Sequence, residues 1–155
     1  MIESLPGILK TILEAATAAE FWKKLSRDTT GDASVLIDEI KNNLRFCRLV
    51  LEDHETIDDS IDVLSTAEFD RLRRSGFKFK TLSSRKIRKH KSLENTDLAY
   101  WQGKTTRELV VSIYDKIKDI QILYPRAKHS TKRRWNVRVI NIQKRILLLL
   151  KHLDA

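Results

Sequence analysis

The last 26 residues of the chain carry a helical hydrophobic pattern that constrains the fold more than any other stretch. Over residues 130–155, apolar side chains recur at alternating steps of four and three, which places them on one stripe of an α-helix. The stripe consists of Trp135, Val139, Ile142, Ile146, Leu149 and Leu153. The cations around it are Arg133, Arg134, Arg138, Lys144, Arg145 and Lys151. The pattern predicts a helix that packs on the core along its stripe and presents positive charge outward.

Four consecutive leucines near the end of this helix cover more than one helical face. Residues 147–150 are all Leu, so the block is either deeply buried or forms a contact surface for another chain. Deep burial is the preferred interpretation. The alternative is a homo-oligomer or partner-binding protein with Trp135, Leu147, Leu148 and Leu150 at the interface.

Helical periodicity recurs in three earlier segments of the chain. We expect long helices over about residues 5–25, 33–53 and 105–124. The chain has only 4 Gly and 2 Pro, too few turn signals for a fold of many strands. The sequence therefore predicts an all-α fold, a single-domain bundle over residues 1–155. It has four long helices, with one or two short helices between the second and third.

Local capping signals set the expected helix boundaries. Ser65 and Glu68, and likewise Thr105 and Glu108, have the spacing of a capping box, in which each side chain satisfies a free backbone amide at the helix start. Pro125 is expected to end the third long helix, because the residue before a proline is disfavoured in helical conformation.

The single cysteine, Cys47, excludes an intramolecular disulfide and favours a reducing compartment, so we expect a cytoplasmic protein. It is in phase with the apolar stripe of the second helix, which predicts a buried thiol rather than a nucleophile. We expect neither a signal peptide nor a membrane span at the N-terminus, where acidic and basic residues interrupt the apolar run. No metal-ligand spacing is present, and no cofactor is expected.

Charge is distributed unevenly along the chain. Residues 1–70 hold 7 Lys or Arg and 15 Asp or Glu, a net charge of −8, whereas residues 71–155 hold 23 and 6, a net charge of +17. Such asymmetry indicates an anionic partner. The alternative is that acidic N-terminal helices pack beside basic C-terminal ones and neutralise them.

The positive charge is concentrated in two clusters, which are the candidate binding residues. The first, within residues 71–91, contains no acidic residue and interleaves its cations with Phe77 and Phe79, which could stack on bases or belong to the core. Its cations are Arg71, Arg73, Arg74, Lys78, Lys80, Arg85, Lys86, Arg88, Lys89 and Lys91. The second cluster contains Arg126, Lys128, His129, Lys132, Arg133 and Arg134. The expected function is non-catalytic binding of nucleic acid (RNA or DNA) or of an acidic protein partner, in an accessory role.

Two Arg–His pairs suggest an alternative function. Arg85 precedes His90 with four residues between them, and Arg48 precedes His54 with five. This spacing resembles the signature of the HEPN helical ribonucleases, whose Arg and His act on RNA at a dimer interface. The resemblance covers about six residues and implies that the His transfers a proton while the Arg stabilises the developing phosphate charge.

Overall fold

The computed structural model describes residues 15–154, with side chains from Trp22 onward. The α-helices are α1 (Ala15–Asp28), α2 (Gly31–Leu51), α3 (Ile57–Ser60), α4 (Ala67–Arg74), α5 (Thr106–Ala127) and α6 (Trp135–Asp154). Short 3-10 turns join them, and the described residues contain no strand. The predicted all-α class is confirmed. The prediction of a helix over residues 5–25 lies partly outside the described residues.

Helix α6 lies at the centre of the contacts, because it packs against both α2 and α5, while α1 packs on α2. The buried hydrophobic side chains form one cluster that includes residues from all four of these helices. The arrangement of the four long helices as a bundle stays a prediction, as does the single domain.

The hydrophobic stripe of α6 is buried as its periodicity predicts, apart from the partly buried Leu153. Leu149 and Leu150 are fully inaccessible, and Leu147 and Leu148 are at most 6% exposed. Deep burial, the preferred interpretation of the leucine block, is therefore confirmed, and a homo-oligomer or partner-binding protein stays a prediction. Burial of one Leu contributes about 1.5–3 kcal/mol.

A buried carboxylate joins α2, α4 and α5. Glu39 on α2 is 5% exposed and accepts hydrogen bonds from the hydroxyls of Ser65 (2.9 Å) and Tyr114 (2.9 Å). It also accepts from the backbone N–H groups of Glu68 (2.8 Å) and Phe69 (3.0 Å) at the start of α4. Burial, with the neighbouring Glu39 charge, raises the pKa of Tyr114, so its hydroxyl stays protonated and donates. The predicted Ser65–Glu68 capping box is wrong, because Glu39 caps α4 from another helix.

The Thr105–Glu108 capping box is confirmed at the start of α5, with both reciprocal hydrogen bonds present. At the other end of this helix, Pro125 does not end α5, which continues to Ala127. The preceding residue, Tyr124, is buried and its ring packs edge-on against Trp135 at 5.1 Å between centroids. This packing outweighs the conformational preference of a residue before proline.

Candidate nucleic-acid interface

The second basic cluster lies at one end of the antiparallel α5–α6 pair. The first cluster runs from beside the middle of α5, where Arg73 shares a groove with Asp119, to the opposite end of the pair. Thr106, in the first turn of α5, contacts His152, in the last turn of α6, with 2.8 Å between Oγ1 and Nε2. We call this end of the helix pair the basic end, since residues 71–91 lead to it. We call the other end, where α5 ends at Ala127 and α6 begins at Trp135, the mixed end. A helix of 22 residues such as α5 is about 33 Å long. Residues 85–91 of the first cluster are therefore separated from the second cluster by about the length of α5.

Acidic residues accompany the second cluster at the mixed end. Lys128 lies 3.7 Å from the carboxylate of Asp58, which follows the C-terminus of α2. Burial and the same Asp58 charge raise the pKa of Tyr124 nearby. Residues 52–62 contribute six carboxylates in all, against the five Lys or Arg of residues 126–134. The mixed end thus has little net charge, as the neutralisation alternative predicts for this part of the chain.

The first cluster ends in a segment without long helices, residues 75–105, which lies against the basic end. The Ser83 carbonyl accepts a hydrogen bond from the Thr106 hydroxyl, and the Ile87 backbone pairs with Lys104 and Gly103 at 2.9 and 2.8 Å. Buried side chains hold this segment on the core, namely Phe79, Ile87, Leu93, Leu98 and Trp101. The anchors face inward, so the charged residues between them are left on the surface.

All ten cations of the first cluster are exposed. Arg71 pairs with Glu68 and Asp32, and Lys89 pairs with Glu94. Seven others form no ion pair within 4 Å with any residue that the structure describes: Arg73, Arg74, Lys78, Lys80, Lys86, Arg88 and Lys91. The charges of Arg74 and Lys86 still help to lower the pKa of Asp70 and of Glu108. Over residues 71–107 there are twelve Lys or Arg and only two carboxylates, Glu94 and Asp97.

The interleaved phenylalanines are core residues and not a stacking surface. Phe79 is 6% exposed, and Phe77 is partly buried against the core with its ring edge-on to Phe79 at 5.2 Å. Of the two interpretations of this pair, burial is the correct one. Their burial fixes the backbone on which Lys78 and Lys80 are displayed.

Two histidines meet the cations of the first cluster at the basic end. Burial, and then the charges of Lys151 and Arg88, lower the pKa of His90, which lines a pocket of about 310 Å³. Burial, and then Arg85, Arg88 and His90, lower the pKa of His152. The Thr106 hydroxyl has one proton, which it donates to Ser83, so it accepts its second hydrogen bond from Nε2–H of His152.

The alternative pair Arg48 and His54 lies at the C-terminal end of α2, with Arg48 in its last turn. His54 is exposed in the loop after α2, with a left-handed φ of 57°, and no contact among the described residues joins its side chain to Arg48.

The thiol of Cys47 lies among the buried residues of α2 and is fully enclosed. Burial raises the pKa of this thiol, so it is not a nucleophile. Arg85 and His90 lie on a non-helical stretch of the basic end.

A groove of about 530 Å³ beside the start of α5 was missed by sequence reasoning. The cations Arg73, Lys104 and Arg107 line it together with Tyr100. The charged residues that line it along α5 are Glu108, Asp115, Lys116 and Asp119. Tyr100 is 66% exposed, and the Lys104 ammonium lies 4.5 Å from its ring centroid. The signal in the sequence was an aromatic, Tyr100, followed at steps of four and three by Lys104, just before the capping box, and Arg107, within it.

No family model matches the chain, and no curated protein or solved structure matches it. Across residues 15–154, no helix combines the length and apolarity that crossing a membrane requires. The same residues contain no group of three or more His, Cys, Asp or Glu arranged to hold a metal ion.

Proposed function

We propose that the chain binds nucleic acid through its basic end, as a non-catalytic accessory protein of the cytoplasm. The observation that carries the proposal is the first cluster, in which seven exposed cations have no ion-pair partner among the described residues. Clustered Lys and Arg bind phosphates and release counterions, which supplies most of the affinity in binding that does not depend on sequence.

The anchoring of segment 75–105 on the core supports the same proposal. Cations on segment 75–105 stand between buried anchors such as Ile87 and Trp101, so their backbone positions are set before a ligand arrives. Mutual repulsion among exposed like charges falls when a polyanion binds. At the mixed end, by contrast, the Asp58 carboxylate already accompanies Lys128.

The test is a titration of fluorescently labelled single-stranded and duplex oligonucleotides, read by anisotropy across a series of salt concentrations. The logarithm of the affinity should fall linearly with the logarithm of the salt concentration, by about 0.7 per phosphate contacted on a single strand. Absence of binding at low salt would refute the proposal. Preference for polyglutamate of equal charge would identify an acidic protein as the partner instead.

A matched pair of variants localises the binding surface. Lys80, Lys86 and Lys91 at the basic end, and Arg126, Lys128 and Lys132 at the mixed end, are all exposed. Changing either trio to Gln removes three positive charges. The basic-end variant should reduce the salt slope for a single strand by about 2, while the mixed-end variant should change the affinity less than threefold. Equal losses would show that binding follows net charge alone.

A ribonuclease is the second candidate, favoured by the meeting of His90, His152, Arg85 and Arg88 at the basic end. A lowered pKa leaves His90 unprotonated near neutral pH, as a general base requires. Incubation with structured RNA should then yield cleavage that His90→Ala abolishes. Cleavage that persists in the His90→Ala variant would exclude this candidate, and so would the absence of cleavage by the wild-type chain.

A further inference from the structure

We infer that the groove at Tyr100 binds an unpaired nucleobase, so that the chain prefers single-stranded nucleic acid over a duplex. This inference rests on the proposed function and specifies its substrate class. In a duplex the faces of the bases are covered by their neighbours, whereas single strands offer faces that stack on aromatic side chains.

The exposure of Tyr100 is imposed by a well-anchored turn. Tyr100 lies in the 3-10 turn Asp97–Trp101, whose residues Leu98 and Trp101 are 2% and 7% exposed. The Thr96 hydroxyl caps the turn by accepting from the Leu98 N–H. The core therefore holds both sides of the tyrosine, and its ring is directed outward by the backbone.

Ion pairs to α6 reinforce the same turn. The Asp97 carboxylate accepts a hydrogen bond from the ammonium of Lys144 at 2.7 Å and lies 3.7 Å from the guanidinium of Arg145. Burial opposes ionisation of Asp97, yet the Lys144 hydrogen bond and charge outweigh it and lower the pKa of the carboxyl. A turn fixed by a charge pair presents its aromatic ring without paying a large ordering cost when a base binds.

The surroundings of the ring suit a nucleotide in particular. Trp101 packs edge-on against Tyr100 at 5.4 Å, which supports one side of the ring. The Lys104 ammonium lies over the ring, 4.5 Å from its centroid, so a base that stacks on this face displaces the lysine side chain. Lys104, Arg73 and Arg107 line the same groove, so phosphates beside a stacked base meet positive charge. Glu108, Asp115 and Asp119 line the continuation along α5 together with a single cation, Lys116, so this part of the groove is net acidic and less favourable for phosphate than the part at Tyr100.

The decisive variant is Tyr100→Ala, measured on an unstructured oligonucleotide, its duplex, and an abasic oligonucleotide with the same number of phosphates. Stacking on one aromatic side chain is worth about 5- to 150-fold in affinity. Tyr100→Ala should lose that factor on the single strand, change duplex and abasic binding less than twofold, and leave the salt slope unaltered. RNA and DNA strands should lose similar factors, because stacking does not involve the sugar.

Ile122→Ala is the matched control, since Ile122 is also a large exposed hydrophobic residue, 56% exposed on α5. It should bind every oligonucleotide as the wild-type chain does, and Tyr100→Trp should retain or increase single-strand affinity. If Tyr100→Ala and Ile122→Ala bind alike while salt-dependent binding persists, the inference fails and the proposed function stands. If the wild-type chain binds no oligonucleotide at low salt, both fail.

Discussion

Replacing Glu39 by Ala should destabilise the fold by about 3–5 kcal/mol. The change removes the acceptor of four donors, of which the Phe69 N–H and the Tyr114 hydroxyl are buried. A buried donor without a partner costs about 1–3 kcal/mol, so these two account for most of the loss. The hydroxyl of Ser65 and the N–H of Glu68 are less buried and recover part of their hydrogen bonding from water.

The assay is urea unfolding at neutral pH, followed by far-ultraviolet circular dichroism. Asp38→Ala is the matched control, because Asp38 is the exposed neighbour on the same helix turn and should change stability by less than about 0.5 kcal/mol. Glu39→Gln keeps the shape and one acceptor, so its loss should fall between the two. A Glu39→Ala variant as stable as Asp38→Ala would refute the view that this carboxylate organises the start of α4.

Three further predictions follow from contacts elsewhere in the fold. Burial lowers the pKa of His152 below 6.5, so the unfolded chain binds a proton at this histidine more readily than the folded chain does. The free energy of unfolding should therefore fall as the pH drops from 7 toward 5, and in urea titrations His152→Gln should make it depend less on pH. Asp97→Asn leaves the buried Lys144 ammonium without its charged partner. It should lower the free energy of unfolding by about 1–2 kcal/mol, less than for a fully buried pair, because the Asp97 carboxylate is half exposed. Glu94→Gln, at an exposed ion pair, should cost under about 0.5 kcal/mol, and equal losses in the two would contradict this reasoning. Thr105→Ala should lower the free energy of unfolding by about 1 kcal/mol, and an unchanged urea midpoint would show that the capping box is dispensable.

Patterns confined to one helix were predictable, because their physical causes are local. The stripe of α6 follows from side-chain periodicity, and the Thr105–Glu108 box joins residues only three apart. The cap of α4 was not predictable, since its acceptor, Glu39, is 30 residues from the Phe69 amide in sequence. The outward orientation expected of Lys144 was wrong for the same reason, because Asp97 covers it from another segment.

The sequence predicted which residues are the exposed cations of the candidate site, but not where the two clusters lie relative to each other. A run such as residues 71–91 is too polar to be buried, so exposure of its cations follows from sequence alone. Placement of the two clusters depends on the reversal of the chain between α5 and α6, which no local pattern encodes. The role of Tyr100 depends on which of two adjacent aromatic side chains is buried in the core, and in this structure Trp101 is buried while Tyr100 is exposed.

The distance between the two ends of α5 sets a length scale for any bound polymer. Phosphates along one strand of a duplex are spaced about 3.4 Å apart along its axis, so the roughly 33 Å between the ends of α5 corresponds to about ten base pairs. Oligonucleotides well below that length can occupy one end of the molecule but cannot reach Arg126 or Lys132 from Lys86. Affinity measured against oligonucleotide length should therefore level off early if only the basic end is used, and rise again near ten base pairs if both ends contribute.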